Sequence, residues 1–104
     1  MNKEKRFKAL SNIGCIVCLL HYDVFTPCAI HHLTGSKYRS TGKKADYKNT
    51  IGLCPRHHQY GTKEHPSIHS HPALFEQKYG TQEELLRITD SILKNIYSIN
   101  TQEL

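Results

Sequence analysis

A chain of 104 residues, 38% of them hydrophobic and none of them Trp, has room for one domain and a modest core, so a staple is expected. Its formal net charge of +5 suits an anionic partner such as nucleic acid, although many small basic domains share that sign. Four Cys and eight His can supply the staple. The opening MNKEKRFKAL lacks the apolar stretch of a signal peptide and no run reaches transmembrane length, so a cytoplasmic, thiol-reducing setting without a membrane is expected. In that setting, closely spaced Cys read as metal ligands rather than disulfides.

In chain order, residues 2–11 read as a helix with Asn2 as its cap, and Asn12-Ile13-Gly14 ends it. Cys15 to Leu20 holds a tight C-x-x-C turn. A strand-like stretch from Val24 to Leu33 follows, interrupted by Pro27 and carrying His31-His32. Thr34 to Lys48 is rich in Gly, Ser, Thr and Lys without an apolar period, as in a loop or wide hairpin connection. Asn49 to Cys54 suits a second short strand, and Pro55 fits the first position of a helix through His57, His58 and Gln59. Gly61 to His71 is polar and irregular. Pro72 opens a helix that Gly80 closes, with Leu74, Phe75 and Tyr79 as its apolar side. Thr81 and Glu84 have capping-box spacing at the start of the last helix. Its stripe of Leu85, Ile88, Ile92, Ile96 and Ile99 is expected to pack on the rest of the domain, with a dimer seam the lesser reading.

Two clusters, Cys15-x-x-Cys18 and Cys54-x-x-His57, each place two ligands on one turn, and together they complete a tetrahedron around a structural Zn²⁺. The long spacing between them requires the inserted segment to be a unit such as a hairpin. Taking the four as small buried residues without a metal explains the paired spacing poorly. An alternative set of Cys15, Cys18, His21 and Cys28 leaves Cys54 and His57 unexplained. Cys28 is read as a buried thiol and His21 as a surface residue.

The order His31-His32, Asn49, Cys54-x-x-His57-His58 resembles the HNH motif of ββα-metal (His-Me finger) nucleases. More specifically, CIVC…AIHHLTG…GKKA…TIGLCPRHHQ…FEQKYGTQEELL is similar to the globular domain of the phage recombination-enhancement (Ref-like, RecA-dependent) nucleases, over roughly residues 13 to 86. That resemblance implies an α+β fold: a small zinc-stapled ββα-metal core with flanking helices at both ends. One domain, 1–104, would then comprise a zinc knuckle (15–57), a catalytic ββα unit (28–60) and C-terminal helices (72–99). It implies His31 and His58 as ligands of a catalytic divalent metal and His32 as general base. Asn49 would steady the loop and the base, and His69 would serve as third ligand or phosphate contact. His65 and His71 are then surface residues. Adjacent strand residues point to opposite faces, so His31 and His32 can share a site only where the backbone bends.

The chemistry is consistent with that assignment. A histidine of near-neutral pKa can deprotonate water at pH 7, and one divalent cation neutralises charge on the phosphoryl and leaving oxygens. Imidazole-rich sites suit Zn²⁺, Ni²⁺ or Co²⁺, whereas sites completed by water and phosphate admit Mg²⁺ or Mn²⁺. The resemblance further implies DNA as substrate, 5′-phosphate and 3′-hydroxyl products, a role in phage recombination or repair in a bacterial or phage-infected cytoplasm, and a RecA filament as partner. The relatives carry a long basic extension before their first Cys pair, where this sequence has Met1 to Gly14.

Lys37, Arg39, Lys43, Lys44 and Lys48, with Tyr38 and Tyr47 among them, fall between the two strands and are expected to track a phosphate backbone without reading bases. The same charges are also what a solvated loop carries. Two functions from different classes follow: a metal-dependent endonuclease hydrolysing DNA phosphodiesters, or a zinc-stabilised nucleic-acid-binding module without catalysis. The intact His32 favours the first, since a binder needs no base beside a metal ligand.

Overall fold

The computed structural model describes residues 1–39 and 43–97. Among them the chain forms an α+β fold in which five helices surround one antiparallel strand pair. Helix α1 (Lys3–Ile13) begins as its sequence requires: Asn2 Oδ1 accepts the N–H of Lys5 at 2.9 Å, satisfying one otherwise unpaired donor of the first turn. It stops at Gly14, whose φ of 80° favours a residue without a Cβ.

The C-x-x-C segment is more than a turn. Cys15 caps a second helix, α2 (Ile16–Tyr22), its Sγ accepting the N–H of Cys18 at 3.5 Å. Burial of Ile16 and Val17 anchors this helix in the core. Asp23, at φ 53°, ends it in the left-handed region, and the N–H of Val24 turns back to the Cys18 carbonyl. The expected strand from Val24 to Leu33 therefore shortens to β1 (Ala29–His32). Val24 and Phe25 are exposed, and Pro27 has no N–H to give a ladder.

Strand β2 (Thr50–Leu53) is buried along its length and pairs with β1 in the register Ala29–Leu53, Ile30–Gly52, His31–Ile51, His32–Thr50. Gly52 is required by close approach: a Cβ there would lie 2.6 Å from Cys28 Sγ and 2.8 Å from the Gly14 carbonyl. Helix α3 (Pro55–His58) follows at once, with proline at its first position, where a missing N–H costs nothing. Helices α4 (Pro72–Tyr79) and α5 (Gln82–Tyr97) complete the described residues. Thr81 Oγ1 accepts the N–H of Glu84 at 3.1 Å and donates to Glu84 Oε1 at 3.0 Å. The expected cap forms, although the glutamate answers the hydroxyl rather than the backbone.

The main core joins Ile16, Val17, Leu33, Ile51, Leu53, Ile68, Phe75, Tyr79 and Leu85 around the buried cysteines, while Ala9, Leu10 and Leu93 form a second cluster between α1 and α5. Three apolar expectations need correction. Leu74 is at the solvent side of α4, leaving Phe75 and Tyr79 as its buried face. On α5 the fully buried line is Leu85, Thr89 and Leu93, flanked by Leu86, Ile88 and Ile92, and Ile96 is 61% exposed, while its neighbour Tyr97 is the residue that reaches Asn12 of α1. Ile99 lies outside the described residues. Cys28 is only half-buried, its Sγ 3.6 Å from the Leu10 carbonyl.

A buried arginine ties the two clusters together. Arg6, 0% exposed, donates from Nε to Thr50 Oγ1 at 3.0 Å and from Nη2 to the Thr50 carbonyl at 2.7 Å. Its Nη1 lies 3.0 Å from Asp90 Oδ1, an ion pair poorly aligned as a hydrogen bond. Burial raises the Asp90 carboxyl above its ordinary pKa while Arg6 pulls it down. One side chain thus links α1, β2 and α5.

Candidate metal centres

Cys15, Cys18, Cys54 and His57 come together, all four buried, with their ligand atoms within 4.8 Å of one another. The sulfurs of Cys18 and Cys54 are 3.9 Å apart, and His57 Nδ1 stands 3.6, 3.5 and 3.2 Å from the sulfurs of Cys15, Cys18 and Cys54. A tetrahedral Zn²⁺ with its usual bond lengths places sulfurs about 3.8 Å apart and sulfur about 3.6 Å from nitrogen. The cluster matches those edges within a few tenths of an ångström, so the donor set fits zinc. Burial pushes the Cys15 thiol up to about 12 and His57 down to about 4. The Cys15 thiol therefore resists ionisation without a cation, and the neutral imidazole keeps its lone pair. Tyr22 stacks on the His57 ring at 6.2 Å, Tyr79 meets it edge-on at 5.1 Å, and the two phenol oxygens are 3.0 Å apart. These rings wall the site. The alternative set with His21 and Cys28 does not assemble: His21 instead reaches the Tyr79 carbonyl, with 3.3 Å between His21 Nε2 and the oxygen.

A second cluster takes the next residue of α3. His31 of β1, His58 of α3 and His69 bring one ring nitrogen each within 4.8 Å of one another. His69 is delivered by backbone: the N–H of Ile68 bonds the His57 carbonyl at 2.8 Å and that of His69 bonds the His58 carbonyl at 3.1 Å. The irregular segment is thereby pinned along α3. Nε2 of His58 and Nε2 of His69 are 3.2 Å apart. Two nitrogens bound to one cation at about 2.1 Å stand about 3.0 Å apart at 90° and about 3.4 Å at 109°, so this pair fits a shared metal. His31 is buried and held down to about 4 chiefly by that burial, with His58, His69 and His32 adding to the effect; His58 is lowered by burial and by His69. Mutual repulsion of that kind favours neutral rings, the form that ligates.

His32 stands beside this cluster rather than in it. The cleft of about 340 Å³ lined by His31, His58 and His69 is also lined by His32, Arg39 and Lys44. Phe7 of α1 meets the His32 ring edge-on at 6.0 Å. Burial lowers the His32 pKa, and Lys44 and Lys3 lower it further. Asn49 closes the strand pair through its backbone, its carbonyl accepting the N–H of Leu33 at 3.0 Å. Among the described residues its side chain makes no hydrogen bond.

The family model for recombination enhancement, RecA-dependent nucleases matches residues 1–94. The chain belongs to this family. Membership makes it a nuclease with a DNA- and RecA-related context. No curated protein and no solved structure matches. Among the described residues, no helix is long and apolar enough to cross a membrane.

In this member of the family the basic segment divides. Arg39 and Lys44 line the histidine cleft, and Arg39 Nε donates to the Lys43 carbonyl at 3.2 Å. Lys37 turns toward α5 and pairs with Glu83 at 3.0 Å. Lys48 is held through its backbone, donating to Asp46 Oδ1 at 3.0 Å. Lys43 and Lys48 are exposed and do not line the cleft. Sequence reasoning passed over two residues that shape the site. Arg6 looks like one more surface cation of a basic helix, and nothing local marks it as buried. Gln82 sits inside a motif that a helix cap already explains, yet its Oε1 is 3.0 Å from His31 Nε2.

Proposed function

We propose that the chain is a metal-dependent DNA endonuclease whose β1–β2–α3 unit is an HNH, or ββα-metal, catalytic core acting in phage recombination or repair. The observation that carries this is the convergence of His31, His58 and His69 in a cleft also lined by His32, Arg39 and Lys44. Three imidazoles would hold the divalent ion, and three Cys with His57 would hold a structural zinc that fixes α2, β2 and α3. A cation bound to the imidazoles supplies charge neutralisation on the phosphoryl and leaving oxygens. His32 acts as general base, its ring taking a proton from the attacking water. Arg39 and Lys44 seat the phosphate backbone across the cleft, and Asn49 steadies the strand end that carries His32.

Incubation of supercoiled and single-stranded DNA with purified protein, across Mg²⁺, Mn²⁺, Ni²⁺, Co²⁺ and Zn²⁺ and with chelator, tests the proposal. Cleavage that requires added divalent metal is expected. Binding without cleavage under every metal would leave a zinc-stabilised binding module instead.

A further inference from the structure

Gln82 opens α5 and folds its amide back onto Thr34, two residues beyond β1. The Thr34 N–H donates to Gln82 Oε1 at 2.9 Å, and Gln82 Nε2 donates to the Thr34 carbonyl at 3.3 Å. The hydroxyl of Thr34 also donates to Oε1, at 3.3 Å. This two-way match to one backbone residue decides which end of the amide is oxygen. The oxygen end is the one that meets His31 Nε2, at 3.0 Å. A carbonyl oxygen can only accept, so Nε2 of His31 must carry the proton and Nδ1 the lone pair.

From that geometry we infer that Gln82 is a positioning residue for the histidine cluster, locking His31 in the Nε2–H tautomer so that Nδ1 is presented as a metal donor beside His58 and His69. The inference rests on reading the three histidines as a metal site. A ligating histidine is oriented through the hydrogen bond of its other nitrogen, and losing that partner costs roughly 10–100-fold in metal affinity. Gln82 does so from a residue 51 positions distant in sequence, which couples the last helix to the cleft. Thr34 in turn fixes the amide, so the chain Thr34–Gln82–His31 forms one hydrogen-bonded relay from β1 to α5 and back.

The test reads the tautomer and the metal separately. Long-range ¹H–¹⁵N correlation spectra of the protein, with its cysteine-bound zinc retained and the second metal removed, should show His31 protonated at Nε2. Isothermal titration with Mn²⁺ or Ni²⁺ should then show binding weakened about 10–100-fold by Gln82→Met and largely rescued in Gln82→Glu, which keeps an acceptor oxygen. Gln82→Met should also lose the tautomer preference. A parent protein with His31 protonated at Nδ1 would overturn the inference, and this measurement needs no variant to fold. Unchanged affinity and tautomer in Gln82→Met would overturn it as well. A parent that takes up no second metal while His31 shows the Nε2–H form overturns the metal site itself, and with it the role given to Gln82.

Discussion

Replacing Arg6 by Ala removes a side chain that joins α1, β2 and α5, and its cost can be worked from the contacts. The guanidinium is fully buried, makes two hydrogen bonds to Thr50 and pairs with Asp90. Hydrogen bonds from a charged donor contribute about 1.5–3 kcal/mol each, and breaking a buried pair by removing one partner costs about 3–5 kcal/mol. Those figures overlap rather than add. Asp90 is 25% exposed and can regain water, so the lower end, about 3 kcal/mol, is expected. Against the roughly 5–15 kcal/mol total of a small domain that is a large fraction. With a urea m-value of about 1.5 kcal/mol/M it moves the midpoint down by about 2 M. Arg6→Lys keeps the charge but not the fork and should fall between parent and Ala. Urea titrations followed by circular dichroism, at fixed zinc because bound metal adds its own stabilisation, measure the shift. A midpoint within about 0.3 M of the parent for Arg6→Ala would refute the reasoning, since it would mean the buried guanidinium contributes almost nothing beyond its desolvation cost.

Two further outcomes follow from the site. Cys54→Ser should release the structural zinc and abolish cooperative unfolding, because metal binding in such a knuckle is folding free energy; elemental analysis of the refolded variant checks it, and a folded variant with full zinc would contradict it. Arg39→Ala with Lys44→Ala should weaken DNA binding across all sequences and reduce the slope of log K against log salt by about two. Lys37→Ala, whose charge is already engaged by Glu83, should change that slope by less, as fluorescence anisotropy over a salt series would show.

Much of this arrangement was legible in the residues because its signals are local. Asn2, Pro55, Pro72 and Thr81 mark helix starts by chemistry that acts within one turn, and Cys15, Cys18, Cys54 and His57 announce themselves by spacing and meet as expected. What was not legible depends on backbone turns and core packing that local patterns leave open, and on contacts distant in sequence. The strand read from Val24 is cut to four residues because Asp23 closes α2 with a left-handed turn. The C-x-x-C turn becomes a helix because Ile16 and Val17 are drawn into the core. His69 enters its cluster only through backbone bonds from an irregular segment to α3. Arg6 and Gln82 are polar residues on helices whose partners, Thr50 and His31, lie 44 and 51 residues away; no pattern within either helix encodes them. Ile96 fits the apolar period of α5 but is 61% exposed, and it is Tyr97 that meets Asn12 of α1, a choice the period alone does not make.

The central claim, a metal-dependent nuclease with His32 as base, is tested most directly by comparing His32→Ala with the parent in a divalent-metal cleavage assay on supercoiled DNA. His32 lies outside the three-histidine cluster and the cysteine knuckle, so the variant should fold, keep its zinc and bind DNA like the parent. Its cleavage rate should fall by roughly 10²–10⁴, the range for losing a positioned general base. A His32→Ala protein that cuts at the parent rate would contradict the account.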